Sequence, residues 1–522
     1  MSLDADIRSI VEADAGRPRR HVTIIGAGIA GLAAAFELEA RGHTVRMFEA
    51  SADTRGRAWT HRFADGSYGE FGPMRIPEHH DYTLHYVKEC GLDLRRFVTA
   101  HENLSGYYDI RDVRVRMRDA RRDLYPIFDL SQQQREDAIP PNMLARAVGD
   151  VVEGMTDAER ASLRTGNLAS DRLRVIDRMT MGDFLAHRCG EEAAELIGVA
   201  TGLEQMYDRS ATMLLRDALT ATGNKFYEIV GGMDMLPRAL ADRVRGEIVR
   251  RAPVRGIRRA EGGGIQLVVE RDGTPTVEEC EVVLCAIPFS VLHHLDVDPP
   301  FAPGKAFAVR NLGYESSTKV LLHCRRRFWE TEHGIAGGAS LSDLLYRAMY
   351  YPSDNAASVT EPEPMRARFN TMYGGYRNGE FTPADPAVSA GPGVLLASYS
   401  WGQDARRLGQ LSPEERVAVV VRQIARIHPE IAEPGMIDDS ASMFWDSFPW
   451  ANASFAELLP GQQSTIHHHT VAPEGNLYFA GEHTSLDTGW IQGALSSALR
   501  AVREIVSADT VPPGNAARGD RP

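Results

Sequence analysis

Gly26-Ala27-Gly28-Ile29-Ala30-Gly31, followed by Glu49 at 23 residues from the first glycine, carries the residue types that hold a dinucleotide. The first glycine permits a tight turn, the second a close approach to pyrophosphate, and the third close packing of a helix on a strand. Ile29 and Ala30 lie at that helix's N-terminus, where free N–H groups face the phosphates. Glu49 would accept hydrogen bonds from the adenosine ribose, and a carboxylate there repels the 2′-phosphate of NADP. About 450 residues later, Tyr478-Phe479-Ala480-Gly481-Glu482 runs on to Gly489-Trp490-Ile491-Gln492-Gly493-Ala494. Two glycine-rich strand ends so far apart point to one long cofactor held at both ends. FAD has that form, with its isoalloxazine far from its adenosine. NAD has no need of a second grip.

Other residues between these ends have chemistry to offer. Arg57, in Arg55-Gly56-Arg57, is placed either to hold the pyrophosphate bidentately or to lie solvated at the surface. Gly69-Glu70-Phe71-Gly72-Pro73-Met74-Arg75-Ile76-Pro77 fixes a backbone that can run along a flat ring. Arg75 sits between apolar neighbours and needs an anion, either a substrate carboxylate or a structural partner. Lys319 enters the apolar run Val320-Leu321-Leu322; it would hold a water near the flavin, or snorkel from a strand edge. Alternation puts Tyr399 and Trp401 on one strand face, a pattern that by itself reads as core. Glu482 would bind a polar part of the cofactor. The backbone from Gly489 would meet the flavin pyrimidine or ribityl chain, and Trp490 would wall the pocket. His467-His468-His469 reads as a solvated loop: adjacent histidines point apart and no acid or cysteine completes a ligand set, so no metal is expected.

The elements that must position these groups are legible. His21–Ile25 and Thr44–Phe48 are strands flanking a helix that ends near Arg41, a βαβ unit. Residues 126–222 read as helices, with Leu144, Val148, Val151, Val152 and Met155 on one face and caps at Thr156-x-x-Glu159 and Thr180-x-x-Asp183. A hairpin turns at Asp272-Gly273, and strands recur at 319–323, 394–401 and 477–480 before a helix from about Gly489 to Val506. The expected fold is α/β: a discontinuous Rossmann-like FAD-binding domain (20–75, 225–310, 440–506), a mixed-sheet substrate domain (1–19, 76–125, 311–439), a helical insert (126–224) and a disordered tail (507–522).

Composition narrows the function. A net charge of −13 disfavours nucleic acid and anionic membranes, and no apolar run is long enough to span a bilayer. Five scattered cysteines and an acidic N-terminus without an apolar stretch fit a reducing cytoplasm.

Taken together, the chain resembles the flavin-dependent L-amino-acid oxidases within the flavin amine oxidases. Gly26–Gly31, Arg57, Gly72-Pro73-Met74-Arg75, Gly231–Pro237, Thr318-Lys319, Phe328-Trp329-Glu330, Tyr399 and Gly481–Ala494 carry the resemblance, although Arg55 stands where the family has a glycine. The resemblance implies that Arg75 and Tyr399 hold the substrate carboxylate, that Lys319 holds a water near flavin N5, and that the Gly489 carbonyl takes the substrate amine. It also implies Ile29, Ala30, Glu49, Ala50, Arg57, Val254 and Glu482 as FAD contacts. The implied reaction is oxidative deamination of an L-amino acid with O2, by a homodimer holding FAD without a covalent bond, since no cysteine follows Cys324. An amine oxidase, an oxidative decarboxylase and a non-catalytic flavoprotein are the alternatives. Arg216, Asp217, Lys225, Tyr227, Trp401, Phe448 and Trp450 are the candidate selectors of the side chain.

Overall fold

The computed structural model describes residues 3–220, 225–260, 264–361, 363–364, 376–377 and 379–508. At its centre is a five-stranded parallel sheet in the order Glu247–Val249, Thr44–Phe48, His21–Ile25, Val282–Cys285, Leu477–Phe479. Ile25 pairs with both Phe48 and Cys285, and Cys285 with Phe479, so four strands end level at one edge. In a parallel sheet the edge at the strands' carboxyl ends is where a ligand binds. Val282–Cys285 and Leu477–Phe479 are buried at every residue, as a parallel sheet covered on both faces requires, while the edge strand Glu247–Val249 is not.

On one face the helices Ile29–Ala40 and Ile491–Ser507 pack against each other. Ala33, Ala34 and Ala35 keep the first helix slim, while Leu495, Leu499 and Val502 of the last fill the space. On the other face lies a four-stranded sheet whose hairpin, Ile265–Arg271 with Thr274–Cys280, turns at Asp272-Gly273 as expected. Both turn residues have positive φ, 49° and 76°.

A seven-stranded mixed sheet stands beside this unit. Its order is Ile437–Phe444, Ser317–Cys324, Gly393–Trp401, Ala348–Tyr350, Ala339–Ser342, Tyr107–Ile110, Val113–Arg116. Every residue of Ser317–Cys324 is buried, and Lys319 pairs with Tyr399 on one side and Met443 on the other. The strand-edge reading of Lys319 is therefore wrong. A lysine can look like an edge residue in sequence because the flanking strands that enclose it lie far away in the chain.

Helices fill 132–220, and Leu144, Val148, Val151, Val152 and Met155 share one core. Thr156 and Glu159 form a reciprocal cap, and Thr180 Oγ1 accepts from the Asp183 N–H.

Two further expectations need correction. His467–Val471 is a short helix, not a loop, and His467 is buried. The last helix begins at Ile491, with Trp490 as its extended N-cap, because Gly489 turns at φ +77°. That helix runs through Ser507, and the tail beyond Ala508 lies outside the described residues. Among the described residues no helix is long and apolar enough to cross a membrane.

Candidate active site

The turn after the first strand is built by contacts that only glycine allows. Gly26 has φ +96°, and its N–H donates to the Phe48 carbonyl at 2.8 Å. A Cβ on Gly31 would lie 2.1 Å from the Gly26 carbonyl oxygen, so Gly31 lets the helix close onto the turn. A Cβ on Gly56 would come within 3.1 Å of the Gly28 Cα, so two bare backbones face each other. Gly28 caps the helix without a side chain, which leaves the helix's first N–H groups facing outward. Such a cradle suits pyrophosphate.

Gly26, Gly28, Phe48 and Gly56 line a cavity of about 580 Å³. Gly26, Gly28, Ile29, Ala30, Glu49, Ala50, Arg57, Gly72, Pro73 and Val254 all face it, as do Glu482, Gly489, Trp490, Ile491 and Ala494. Glu49 is buried and accepts from Ala27 N–H and Ser51 N–H, each at 2.8 Å. Burial pushes its carboxyl above the usual range despite those bonds. Arg57 reaches across the cavity wall: its Nη1 donates to Glu482 Oε1 at 2.6 Å and to the Ser454 carbonyl at 3.1 Å. Glu482 also accepts from Gly489 N–H at 2.9 Å and from Ala456 N–H at 3.2 Å. One carboxylate thus ties the arginine of the first grip to the glycine of the second.

Gly31, Gln492 and Gly493 do not line the cavity. Gln492 turns to the Asp81–Glu89 helix, accepting from Thr83 N–H at 3.1 Å and donating to Asp81 at 2.7 Å. A Cβ on Gly493 would lie 2.2 Å from the Asp487 carbonyl oxygen, so that glycine serves packing.

A second chamber of about 80 Å³ adjoins the first and shares Pro73, Tyr399, Phe455, Gly489 and Trp490 with it. Met74 and Arg75 line it too. Arg75 Nη1 donates to the Tyr350 hydroxyl at 3.2 Å, and its guanidinium lies 5.7–6.0 Å from the rings of Phe226, Tyr350 and Trp490. His80 meets Trp490 edge-on at 5.0 Å. Tyr399 and Trp401 share a face as alternation requires, with ring centroids 4.9 Å apart. Burial raises the Tyr399 phenol to about 12, so it is a neutral donor at working pH.

Lys319 lies one layer behind the wall. It is 1% exposed, and its Nζ donates to the Gly72 carbonyl at 2.6 Å and the Glu70 carbonyl at 3.1 Å, over the Tyr399 ring at 4.2 Å. It therefore fixes the Gly72–Pro73 backbone. Burial pushes its ammonium down from the usual range, against the pull of Glu70, whose carboxyl burial pushes up.

Of the proposed selectors, Trp401 lines the small chamber, and Phe448 and Trp450 line the large one. The others face neither cavity. Arg216 is buried and donates to Gln463, Lys225 is exposed, and Tyr227 pairs with Ile76. Met206, Met213, Phe455 and Glu457 line the small chamber without having been anticipated. Alternation in Phe455-Ala456-Glu457 was the available signal. Away from both cavities His333, His428 and Glu430 lie within 4.8 Å of one another. The 467–469 histidines are not in that group.

The family described as flavin containing amine oxidoreductase matches residues 29–506. The flavin-dependent L-tryptophan oxidase RebO of Lentzea aerocolonigenes is 34% identical over 506 residues, covering 94% of this chain and 99% of that protein. An L-amino-acid oxidase of Gloydius blomhoffii is 30% identical over 502 residues, covering 93% and 89%. Among solved structures, putrescine oxidase bound to putrescine superposes with a TM-score of 0.70 at 20% identity, covering 94% of this chain and all of that one. Cyclohexylamine oxidase from Brevibacterium oxydans IH-35A gives 0.69 at 18% identity, covering 94% and 99%.

Proposed function

The chain belongs to the flavin-containing amine oxidoreductases, and on that premise we propose that it is an L-amino-acid oxidase holding FAD non-covalently. The observation that carries this reading is the small chamber, where a guanidinium and a phenol, Arg75 and Tyr399, share one wall next to the nucleotide cavity. An amine without a carboxylate has no use for that pair. In this reading segments 20–75, 225–310 and 440–506 grip the cofactor, 1–19, 76–125 and 311–439 form the substrate domain and 126–224 a helical wall, in a cytoplasmic homodimer.

FAD held in this cavity would supply a two-electron acceptor for the hydride of the substrate Cα and a route for those electrons to O2, giving H2O2. Arg75 clamps the carboxylate and Tyr399 donates a second hydrogen bond to it. The Gly489 carbonyl accepts from the substrate amine, and Trp490 limits its swing. These contacts fix Cα in place, so the binding energy of the carboxylate goes into orientation. Lys319 holds the Gly72–Pro73 backbone and presents its remaining N–H to a water at the reaction site. The imino acid left behind is hydrolysed to a 2-oxo acid and ammonia.

H2O2 release measured across the twenty L-amino acids and putrescine tests the proposal. Turnover of L-amino acids with equimolar 2-oxo acid is the expected result. Faster oxidation of putrescine would assign an amine oxidase, and an amide with CO2 in place of the 2-oxo acid would assign an oxidative decarboxylase.

A further inference from the structure

One carboxyl in the small chamber is unused by the reaction described above. Glu457 ends the strand Phe455–Glu457, and the period of two puts Phe455 and Glu457 on the same side, toward the chamber. Glu457 is 4% exposed, yet its carboxyl takes no hydrogen bond or ion pair among the described residues. The neighbouring arginines are committed elsewhere: Arg209 Nη2 to Glu315 at 2.6 Å, and Arg216 to Gln463. A buried polar group left without a partner is costly, and in a cavity wall it marks where a ligand supplies the missing bond.

Most of the rest of that wall is aromatic or thioether. Trp401 packs between Tyr399 at 4.9 Å and Phe455 at 6.2 Å, Met74, Met206 and Met213 add thioethers, and Arg75 and Thr488 are the polar side chains that share the lining with Glu457 and Tyr399. Thioethers beside rings suit an aromatic guest. Burial holds Glu457 up near about 8, so at neutral pH it is mostly protonated. It then offers a carbonyl oxygen to a neutral donor but little counter-charge to a cation.

We infer that Glu457 reads the substrate's side chain, accepting a hydrogen bond from the N–H or O–H of an aromatic ring system such as an indole or a phenol. The inference rests on the amino-acid-oxidase reading above. Two matched pairs test it on the purified holoenzyme: L-tryptophan against β-(3-benzothienyl)-L-alanine, whose sulfur replaces the indole N–H, and L-tyrosine against L-phenylalanine. At least one pair is expected to favour the donor by about tenfold in kcat/KM. That ratio should fall to near one in Glu457→Leu and persist in Glu457→Gln, which keeps an acceptor. Should Glu457→Leu turn over too slowly, the flavin absorbance change on titrating indole-3-propionate and its benzothiophene counterpart gives the same ratio without turnover. Two flat ratios in the wild type, a ratio that survives in Glu457→Leu, or faster oxidation of L-lysine or L-arginine than of any aromatic substrate would overturn the assignment. Absence of H2O2 from every L-amino acid removes the parent reading, and this one with it, a result distinct from flat ratios.

Discussion

Arg75 and Lys319 both lie near the large cavity, and their surroundings give them different work. Arg75 lines the small chamber among three aromatic faces and donates to the Tyr350 hydroxyl, and in the proposed reading it meets the substrate carboxylate there. Lys319 is enclosed and directed at two carbonyls. Arg75→Ala is expected to raise KM for an L-amino acid by about 10- to 150-fold, the value of a charge-assisted bond of about 1.5–3 kcal/mol, with flavin content unchanged. Lys319→Met is expected instead to slow flavin reduction or reoxidation in stopped-flow traces, where charge develops on the flavin or on oxygen. The sign with pH follows from burial. Burial lowers the Lys319 ammonium from its usual range, against the pull of Glu70, so its cationic form, and the rate it supports, is present at lower pH and lost as pH rises. The Met variant should lack this limb. Equal half-reaction rates and an unchanged pH profile would leave Lys319 a purely structural lysine.

Local elements were readable because their signals are contiguous. Gly26–Gly31 with Glu49 specifies strand, turn, helix and acid within one short segment, and the Gly31–Gly26 contact explains why the spacing is fixed. What the sequence hid depends on neighbours remote in the chain. Glu457 looks like one more acid until Arg209 and Arg216 are seen to be engaged elsewhere. Lys319 looks like an edge residue until Met443 and Tyr399 flank it. The His467–His469 run misleads because three polar residues resemble a loop, whereas His467 packs against Gly166, where a Cβ would lie 2.4 Å from its ring. Burial drives that imidazole down to about 3 from an ordinary 6.5. Between those values the unfolded chain binds a proton that the folded chain refuses, so stability falls as pH drops below 6.5. One such proton changes stability by about 1.4 kcal/mol per pH unit. Denaturant unfolding of wild type and His467→Gln at pH 7 and pH 5 should show the difference between them moving by about 2 kcal/mol in the variant's favour. Parallel behaviour would mean that His467 is protonated in the folded state.

Across the whole molecule the cavity draws its wall from chain segments hundreds of residues apart: Gly28 and Glu49 near the start, Val254, Ser317 and Tyr399 between, Glu482 and Trp490 near the end. Both sheets contribute, since Ser317 and Tyr399 belong to the mixed sheet while Glu49 and Glu482 follow strands of the parallel one. A cofactor bound there bridges the two sheets and is linked to the stability of both. A ligand that binds only the folded form adds about 2.7 kcal/mol at 100 times its Kd. FAD held without a covalent bond should appear in the supernatant after acid precipitation, because no cysteine follows Cys324 and Cys324 itself is buried in its strand. Apoprotein prepared under milder conditions should then unfold at a lower denaturant concentration than the holoprotein, with the midpoint restored by added FAD. FMN should restore little of it, since it lacks the adenosine half that Glu49 and Val254 would contact. Flavin retained on the acid-precipitated protein would refute the non-covalent grip. Equal rescue by FMN would refute the adenosine contacts and leave the C-terminal grip at Glu482 and Gly489 to hold the cofactor alone.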